Sequence, residues 1–258
     1  MPTSDQHTPQ VWENFWQSHA IEQVYANSDR IVRQIAAVGS VEGKWVMEIG
    51  AGSGRDGFQL ADLGARVIFL DYTENSLRLI DRLAKQHGKR VHLVRGDAFY
   101  LPFKQNVIDI IYHQGLLEHF RDPGGIVREK YRVLKAGGFA VADVPQRYHP
   151  YTPVKHVLIA LNKWFAGWET EFSIQQLAAL HRNAGFEIHA RYGDWMRPSF
   201  FYRATREALK KIGVKLPLYP KRLPLISRLR DRLRDRLRRK TWALYTFMDI
   251  GVVGRKPK

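Results

Sequence analysis

Trp45-Val46-Met47-Glu48-Ile49-Gly50-Ala51-Gly52-Ser53-Gly54-Arg55-Asp56-Gly57 is the stretch that decides the fold. A short apolar run with an acid near its end breaks into three glycines spaced by two, Gly50, Gly52 and Gly54. A strand, a glycine-rich turn and a helix start in that order bring bare backbone N–H groups against an anionic or polar cofactor. Gly52-Ser53-Gly54-Arg55-Asp56-Gly57 satisfies the dinucleotide fingerprint G-x-G-x-x-G. Glu48 with Gly50, Gly52 and Gly54 also satisfies a second register, acid-x-G-x-G-x-G. The dinucleotide reading wants its first glycine directly after the strand. That residue is Gly50, and counting from it leaves the third fingerprint position without a glycine. A glycine turn with no ligand would cost backbone entropy without structural return.

Around this stretch the chain alternates strand and helix. Strands are predicted at Lys44 to Ile49, Arg66 to Leu70 ending in Asp71, Val91 to Val94, Val107 to Tyr112 and Phe139 to Val144. Helices are predicted between them, from Arg55 to about Leu63, Asn75 to His87 and Gly125 to Leu134. Short, nearly continuous apolar strands in β-α-β-α order argue for a parallel sheet covered by helices on both faces. Two helices precede it: Pro9 to Ala20, with Trp12, Phe15 and Trp16 on one face, and about Ser28 to Val38. After Pro145 the rhythm breaks. Tyr148 to Trp168 carries Val154, Val157, Leu158, Leu161, Phe165 and Trp168 at helical spacing. Ser173-Ile174-Gln175-Gln176 reads as a capping box, Gly185 as the end of that helix, Glu187 to Tyr192 as strand 6 and Thr246 to Gly254 as a last strand.

Two acids stand where a nucleoside would need them. Asp71 closes strand 2, 21 residues after Gly50, where a carboxylate accepts both ribose hydroxyls at the switch point of the sheet. Asp97-Ala98 follows strand 3, where an acid accepts from an adenine amino group. With Glu48 and the glycines, these features put an acid or glycine cluster at the carboxyl end of each of the first three strands, the edge at which open α/β sheets bind ligands.

These residues resemble the class I S-adenosylmethionine (SAM)-dependent methyltransferases of the small-molecule type. Glu48-Ile49-Gly50-Ala51-Gly52-Ser53-Gly54 looks like their motif I, Leu70-Asp71-Tyr72-Thr73 like the second motif, and Gly96-Asp97-Ala98 with Leu101-Pro102-Phe103 like the third. Asp109 to Phe120 is similar to the motif after strand 4, and Arg132-Val133-Leu134-Lys135-Ala136-Gly137-Gly138 to the family's R-v-L-k-p-G-G. The resemblance implies a Rossmann-like, seven-stranded, mostly parallel α/β sheet with an antiparallel last strand, and SAM as cofactor. It implies a cofactor-binding set of Glu48, Gly50, Ala51, Gly52, Gly54, Asp71, Tyr72, Asp97, Ala98, His113 and Gln114. The glycine turn would meet the methionine portion, Asp71 the ribose, Asp97 and Ala98 the adenine, and His113 or Gln114 the site after strand 4. Residues 1–40 would form a helical cap, 41–145 the SAM-binding core, 146–170 a helical insertion over the active site, and 171–258 the remainder, with a basic amphipathic helix at about 221–240.

Methyl transfer is an in-line displacement that proximity and alignment accelerate. A general base is needed only for a hydroxyl or protonated amine acceptor. His119, His113 and His149 are the candidate bases, with Tyr148 as an orienting group. Glu118-His119 resembles the E-H pair of quinone-pathway O-methyltransferases. The acid those enzymes carry three residues before the Glu is Gly115 here, so no metal is expected.

The chain has 258 residues, no cysteine and a net charge of +16. It makes one large domain, or one domain with a small appendage, and disulfides, thiolate nucleophiles and Cys-ligated zinc are excluded. No apolar run approaches the length of a membrane span and Met1 to Gln10 shows no signal pattern, so a cytoplasmic protein is expected. Half of the net charge lies between Lys221 and Lys240, where ten Lys/Arg accompany two Asp. Leu225, Leu229, Leu233 and Leu237 recur there every four residues. Such a helix can lie peripherally on an anionic membrane with its leucines inserted, or pack those leucines on the domain and leave a solvated basic face. Without interleaved aromatics, and without the Asn/Asp-Pro-Pro-aromatic tetrapeptide of base methyltransferases, nucleic acid is not the expected partner. The reading is a SAM-dependent methyltransferase for a small-molecule or lipid-like acceptor. The alternatives are a non-catalytic nucleoside-binding module and, less favoured, an NAD-linked oxidoreductase.

Overall fold

The structure, a computed structural model, describes residues 8–18, 29–164, 166–220, 224–238 and 240–258. The expected start of the second helix at Ser28, the end of the first beyond Ser18, and the first residues of the basic segment lie outside the described residues. One seven-stranded sheet organises the chain, in the order β3-β2-β1-β4-β5-β7-β6. Its strands are β1 (Trp45–Ile49), β2 (Arg66–Asp71), β3 (His92–Arg95), β4 (Ile108–Gln114), β5 (Leu134–Pro145), β6 (Glu187–Asp194) and β7 (Asp249–Arg255). The first five pair in parallel, while β7 runs antiparallel to both β5 and β6. This is the Rossmann-like sheet with a reversed last strand that the motifs implied. The order turns back between β1 and β4, which opens the crevice above their carboxyl ends.

Strand periodicity sends alternate side chains to opposite faces. Val46, Val67 and Phe69 pack with Ile31 and Ile35 of α2 (Arg30–Ala37), Leu60 of α3 (Arg55–Asp62) and Ile80 of α4 (Glu74–Gln86). Met47, Ile49 and Leu70 meet Ile126 and Val127 of α5 (Gly124–Val133) and Leu177 and Ala178 of α7 (Ile174–Asn183) on the other face. The expected capping box opens α7, with Ser173 Oγ accepting from Gln176 N and Gln176 Oε1 from Ser173 N. Strand β5 starts five residues before the expected Phe139, at Leu134. A Cβ at Gly138 within this strand would stand 2.7 Å from Asp109 O, so only glycine lets β5 approach β4 there.

Departures from the sequence reading concentrate after Pro145. α6 (Tyr151–Ala160) forms within the expected insertion, but three residues of the apolar spacing are turned outward, while Leu158 and Trp168 are half-buried. Val154, Val157 and Leu161 are 44%, 58% and 57% exposed, while Lys155 is buried. α8 (Phe200–Lys211) was not anticipated, because its side chains are largely exposed and leave no apolar stripe to read. α9 (Pro224–Arg238) occupies the basic segment. No helix among the described residues is long and apolar enough to cross a membrane.

Candidate active site

Above the carboxyl ends of the strands lies a cavity of about 520 Å³, within the range of small-molecule and cofactor sites. One end is built by the glycine turn. Gly50, Gly52 and Gly54 have φ of 66°, 54° and 67°, a left-handed run that side-chain-bearing residues resist. Gly50 and Gly52 line the cavity with Asp71, Tyr72, Gly96, Asp97 and Ala98. Ala51, Gly54 and Glu48 do not. Glu48 lies beneath the turn, where its Oε2 accepts from Tyr112 Oη at 2.8 Å. Burial, reinforced by Asp56, raises its pKa well above the usual carboxylate range. Its place is that of a brace for the turn, not of a wall of the cavity.

Asp71 is the hub of this end. Its Oδ2 accepts from Gly52 N (2.9 Å) and Ser76 Oγ (3.0 Å), and its Oδ1 from Thr73 N and Thr73 Oγ1 (both 2.8 Å). A carboxylate offers about four lone-pair sites, and the single proton of Ser76 Oγ also has Gly52 O at 2.8 Å as acceptor, so a hydroxyl arriving from the cavity takes the site that Ser76 or Thr73 yields. The Thr73 and Ser76 hydroxyls can rotate away, which the backbone donors cannot. Asp97 accepts from Phe99 N at 2.9 Å, forming the turn that presents Ala98 and Phe99 to the cavity. α1 (Thr8–Ser18) closes this end from above. Trp12 and Trp16 line the cavity, and a Cβ on Gly52 would stand 2.5 Å from Trp16 Cζ2. Glu13 O and Oε2 meet Asn75 Nδ2 and N, which ties α1 to the start of α4.

The loop after β4 forms the middle wall, with Gln114, Gly115, Leu116, Glu118, His119 and Phe120. His119 is 8% exposed and packs edge-on against Trp12, ring centroids 5.1 Å apart. Its Nδ1 stands 3.9 Å from Glu169 Oε1. Burial lowers its pKa, Glu169 works against that shift and Lys155 adds to it. The imidazole is therefore neutral at neutral pH and able to accept a proton. Behind it, Lys155 Nζ lies 2.7 Å from Glu169 Oε2 and 2.6 Å from Glu171 Oε1, and Trp164 Nε1 donates to Glu169 Oε1 at 3.0 Å. Sequence reasoning missed Lys155, Glu169 and Glu171. The signal was available in Glu169-Thr170-Glu171, two acids closing an otherwise apolar segment. Removing one member of such a buried set strands the remaining charges. Lys155→Met is accordingly expected to destabilise the protein by about 3 kcal/mol in denaturant titration.

His113 does not reach the cavity. Strand alternation puts it under the sheet, fully buried near Lys130 and His181, with neither ring nitrogen hydrogen-bonded. Tyr148 is 56% exposed and stacks near Tyr245 at 6.1 Å, and His149 Nδ1 accepts from Tyr151 N. Neither lines the cavity, and no described residue of 146–170 does. The far wall comes instead from the ends of β5, β6 and β7: Val144, Pro145, Trp195, Met196, Met248 and the loop residue Arg197, with Arg203 of α8. Arg30, Asp143 and Asp249 line it too: Arg30 Nε and Nη2 bind Asp143 at 2.8 and 2.6 Å, and Nη2 lies 3.1 Å from Asp249. Burial opposes the charge on Arg30, but Asp143 and Asp249 outweigh it and its pKa rises. The wall is thus mixed, with apolar side chains beside the Arg30, Asp143 and Asp249 cluster and the guanidinium groups of Arg197 and Arg203.

A family described as "Methyltransferase domain" matches residues 47–142. A protein of Mycolicibacterium smegmatis described as an S-adenosylmethionine-dependent methyltransferase is 29% identical over 182 residues, 70% of this chain and 63% of that protein. A demethylmenaquinone methyltransferase of Renibacterium salmoninarum is 32% identical over 116 residues, 45% of this chain and 46% of that protein. The chain thus spans less than two thirds of either relative. Among solved structures, the [4+2]-cyclase SpnF superposes with a TM-score of 0.66 at 19% identity, over 99% of this chain and 98% of that one, which is a likeness of fold.

Proposed function

With residues 47–142 forming a methyltransferase domain of the class I, SAM-dependent kind, we propose that this chain binds SAM and transfers its methyl group to a small-molecule or lipid-like acceptor. The observation that carries the reading is the single cavity joining two unlike ends. One holds the glycine turn, Asp71 and Asp97-Ala98, and the other sets apolar Val144, Pro145, Met196 and Met248 beside the paired charges of Arg30, Asp143 and Asp249. A nucleoside suits the first end, where backbone N–H groups and two acids meet. SAM, when bound, supplies an electrophilic methyl on a positively charged sulfur. A ribose at Asp71 would take the place of the Thr73 or Ser76 hydroxyl, and the adenine would lie along Ala98 with Asp97 at its amino group. The named substrate of one relative, demethylmenaquinone, agrees with an acceptor of apolar body.

Within this reading the residues here mainly align and dehydrate. Trp12, Trp16 and Phe120 exclude water from the cavity, and orientation supplies most of the acceleration. For a hydroxyl acceptor, His119 takes the proton that the oxygen loses as its new bond to carbon forms. Glu169 at 3.9 Å then stabilises the imidazolium. His119→Gln is expected to lower kcat about a hundredfold with little change in cofactor affinity. Because the His119 pKa is lowered, the acidic limb of the wild-type pH–rate profile should fall below pH 6.5, and that limb should vanish in the variant. Equal kcat in both proteins would remove His119 from the chemistry.

Calorimetry with S-adenosylhomocysteine, followed by transfer of a radiolabelled methyl into a cell extract with and without membranes, tests the whole reading. Absence of binding overturns it. Tight binding with no transfer to any fraction would favour the non-catalytic module. Binding of NAD in place of S-adenosylhomocysteine would favour the oxidoreductase.

A further inference from the structure

Helix α9 is assembled inside out. Its inward positions are largely polar: Ser227, Asp231, Arg234 and Arg238 are partly buried, with Leu237 beside them. Arg238 Nη2 donates to the buried Asp194 Oδ1 at 2.9 Å, and Asp231 Oδ1 lies 3.7 Å from Arg197 Nη1. Arg33 Nη2 approaches the other Asp194 oxygen at 3.4 Å. These contacts fix which face points outward, and it is the face with leucines: Leu229 and Leu233 are 71% and 54% exposed. Arg228, Arg230, Arg232 and Arg236 stand exposed around them, with Asp235 the acid among them. A helix packing its leucines on the domain would show the reverse, and a merely solvated face gains nothing from exposed leucines.

The neighbouring surface repeats the pattern. The short 3₁₀ turn Thr241–Tyr245 packs on α9 and exposes Trp242 by 52%. Its Tyr245 meets Tyr148 in the loop before α6, where Val154, Val157 and, just past the helix, Leu161 face outward while Lys155 is buried. We propose that the outward face of α9, with the adjoining Trp242 and Tyr245 turn, is a docking surface for an anionic lipid bilayer. Leucines and a tryptophan enter the headgroup–acyl boundary while the ring of arginines meets lipid phosphates. Charge complementarity argues for that occupant, since an apolar stripe bordered by four arginines suits an acidic interface and not a neutral one. The surface also adjoins the cavity. Arg197, which faces Asp231 of α9, lines the cavity's far wall beside Met196. A membrane-dissolved acceptor would thus enter from the docked side, a consequence that rests on the methyl-transfer reading, whereas the docking itself does not.

Flotation of the full chain with vesicles of phosphatidylcholine alone, and of phosphatidylcholine mixed with phosphatidylglycerol, tests the proposal. The protein should float with the mixed vesicles only, and rising salt should release it. Arg228→Gln, Arg232→Gln and Arg236→Gln together should weaken this binding by roughly a hundredfold. Leu229→Asp with Leu233→Asp should weaken it at least about tenfold. Melting temperature and S-adenosylhomocysteine affinity should stay unchanged in both variants, because these side chains lie on the solvent face, away from the cavity. The proposal is overturned if the wild type ignores mixed vesicles, or if either variant floats as the wild type does. It is equally overturned if the leucine variant turns a dimer into a monomer while vesicle binding persists, which would identify a second copy of the chain as the occupant. Failure of vesicle binding with intact S-adenosylhomocysteine binding would leave the proposed chemistry standing.

Discussion

Asp71→Asn is expected to lower S-adenosylhomocysteine affinity by about a hundredfold or more while leaving a folded protein. Asp71 accepts from Gly52 N and Ser76 Oγ through one oxygen and from Thr73 N and Oγ1 through the other. An asparagine keeps the shape but turns one of those oxygens into a donor, so one pair of donors faces an N–H group. The turn then loses either its anchor at Gly52 or the order at Thr73. The charged acceptor that the proposed ribose contact requires is lost as well. Hydrogen bonds to a charged group contribute about 1.5–3 kcal/mol each, and losing two corresponds to roughly a hundredfold or more in affinity. Calorimetry measures this directly, and circular dichroism verifies folding. Unchanged affinity would dissociate Asp71 from the cofactor and with it the assignment of that end of the cavity.

Lys130→Met is expected to stabilise the protein by roughly 3 kcal/mol at pH 7, about 4 from proton binding less about 1 for the lost contact with His181. Lys130 is fully buried on α5, its Nζ 3.2 Å from His181 Nε2, and among the described residues it forms no ion pair. Burial lowers its pKa from 10.5 to about 7. The native lysine therefore binds its proton more weakly than the unfolded one. Between pH 7 and pH 10.5 unfolding takes up a proton, and wild-type stability rises with pH across that window. Methionine has similar volume and no proton to lose. The gap between variant and wild type should be widest at and below pH 7 and should close toward pH 10.5. In thermal melts at neutral pH the gain corresponds to roughly 6 °C or more. An unchanged or lower melting temperature, or a gap that ignores pH, would show that the lysine is not held neutral.

Lys130 also shows where a sequence becomes hard to read. Ile126, Val127, Lys130 and Val133 are the buried stripe of α5, and the lysine sits squarely on it. In the sequence Arg128-Glu129-Lys130 looks like an ordinary solvated charge run. The same ambiguity governs α6 and α9. Helical spacing announces two faces but does not say which is inside, and the usual assumption is that leucine and valine win. Here Lys155 between Glu169 and Glu171, and Arg238 on Asp194, reverse that assumption. Each of these pairs joins residues from different elements. His113 and Tyr148 fall out of the candidate site for a related reason: strand alternation and loop course decide which chemically suitable residues reach the cavity.

What the sequence determined by itself was the strand–turn–helix at Gly50, Gly52 and Gly54, the α/β alternation, and the acids closing β2 and β3. These are properties of contiguous residues: a left-handed backbone demands glycine, and a buried parallel strand demands an unbroken apolar run. The tertiary structure alone decided that four donor groups surround Asp71, that His119 backs onto Glu169, that Arg30 closes on Asp143, and that α9 turns Leu229 and Leu233 to the outside. The physical reason is that a buried charge is tolerable only beside its partner, and those partners lie far apart in the chain, where no local pattern reports them.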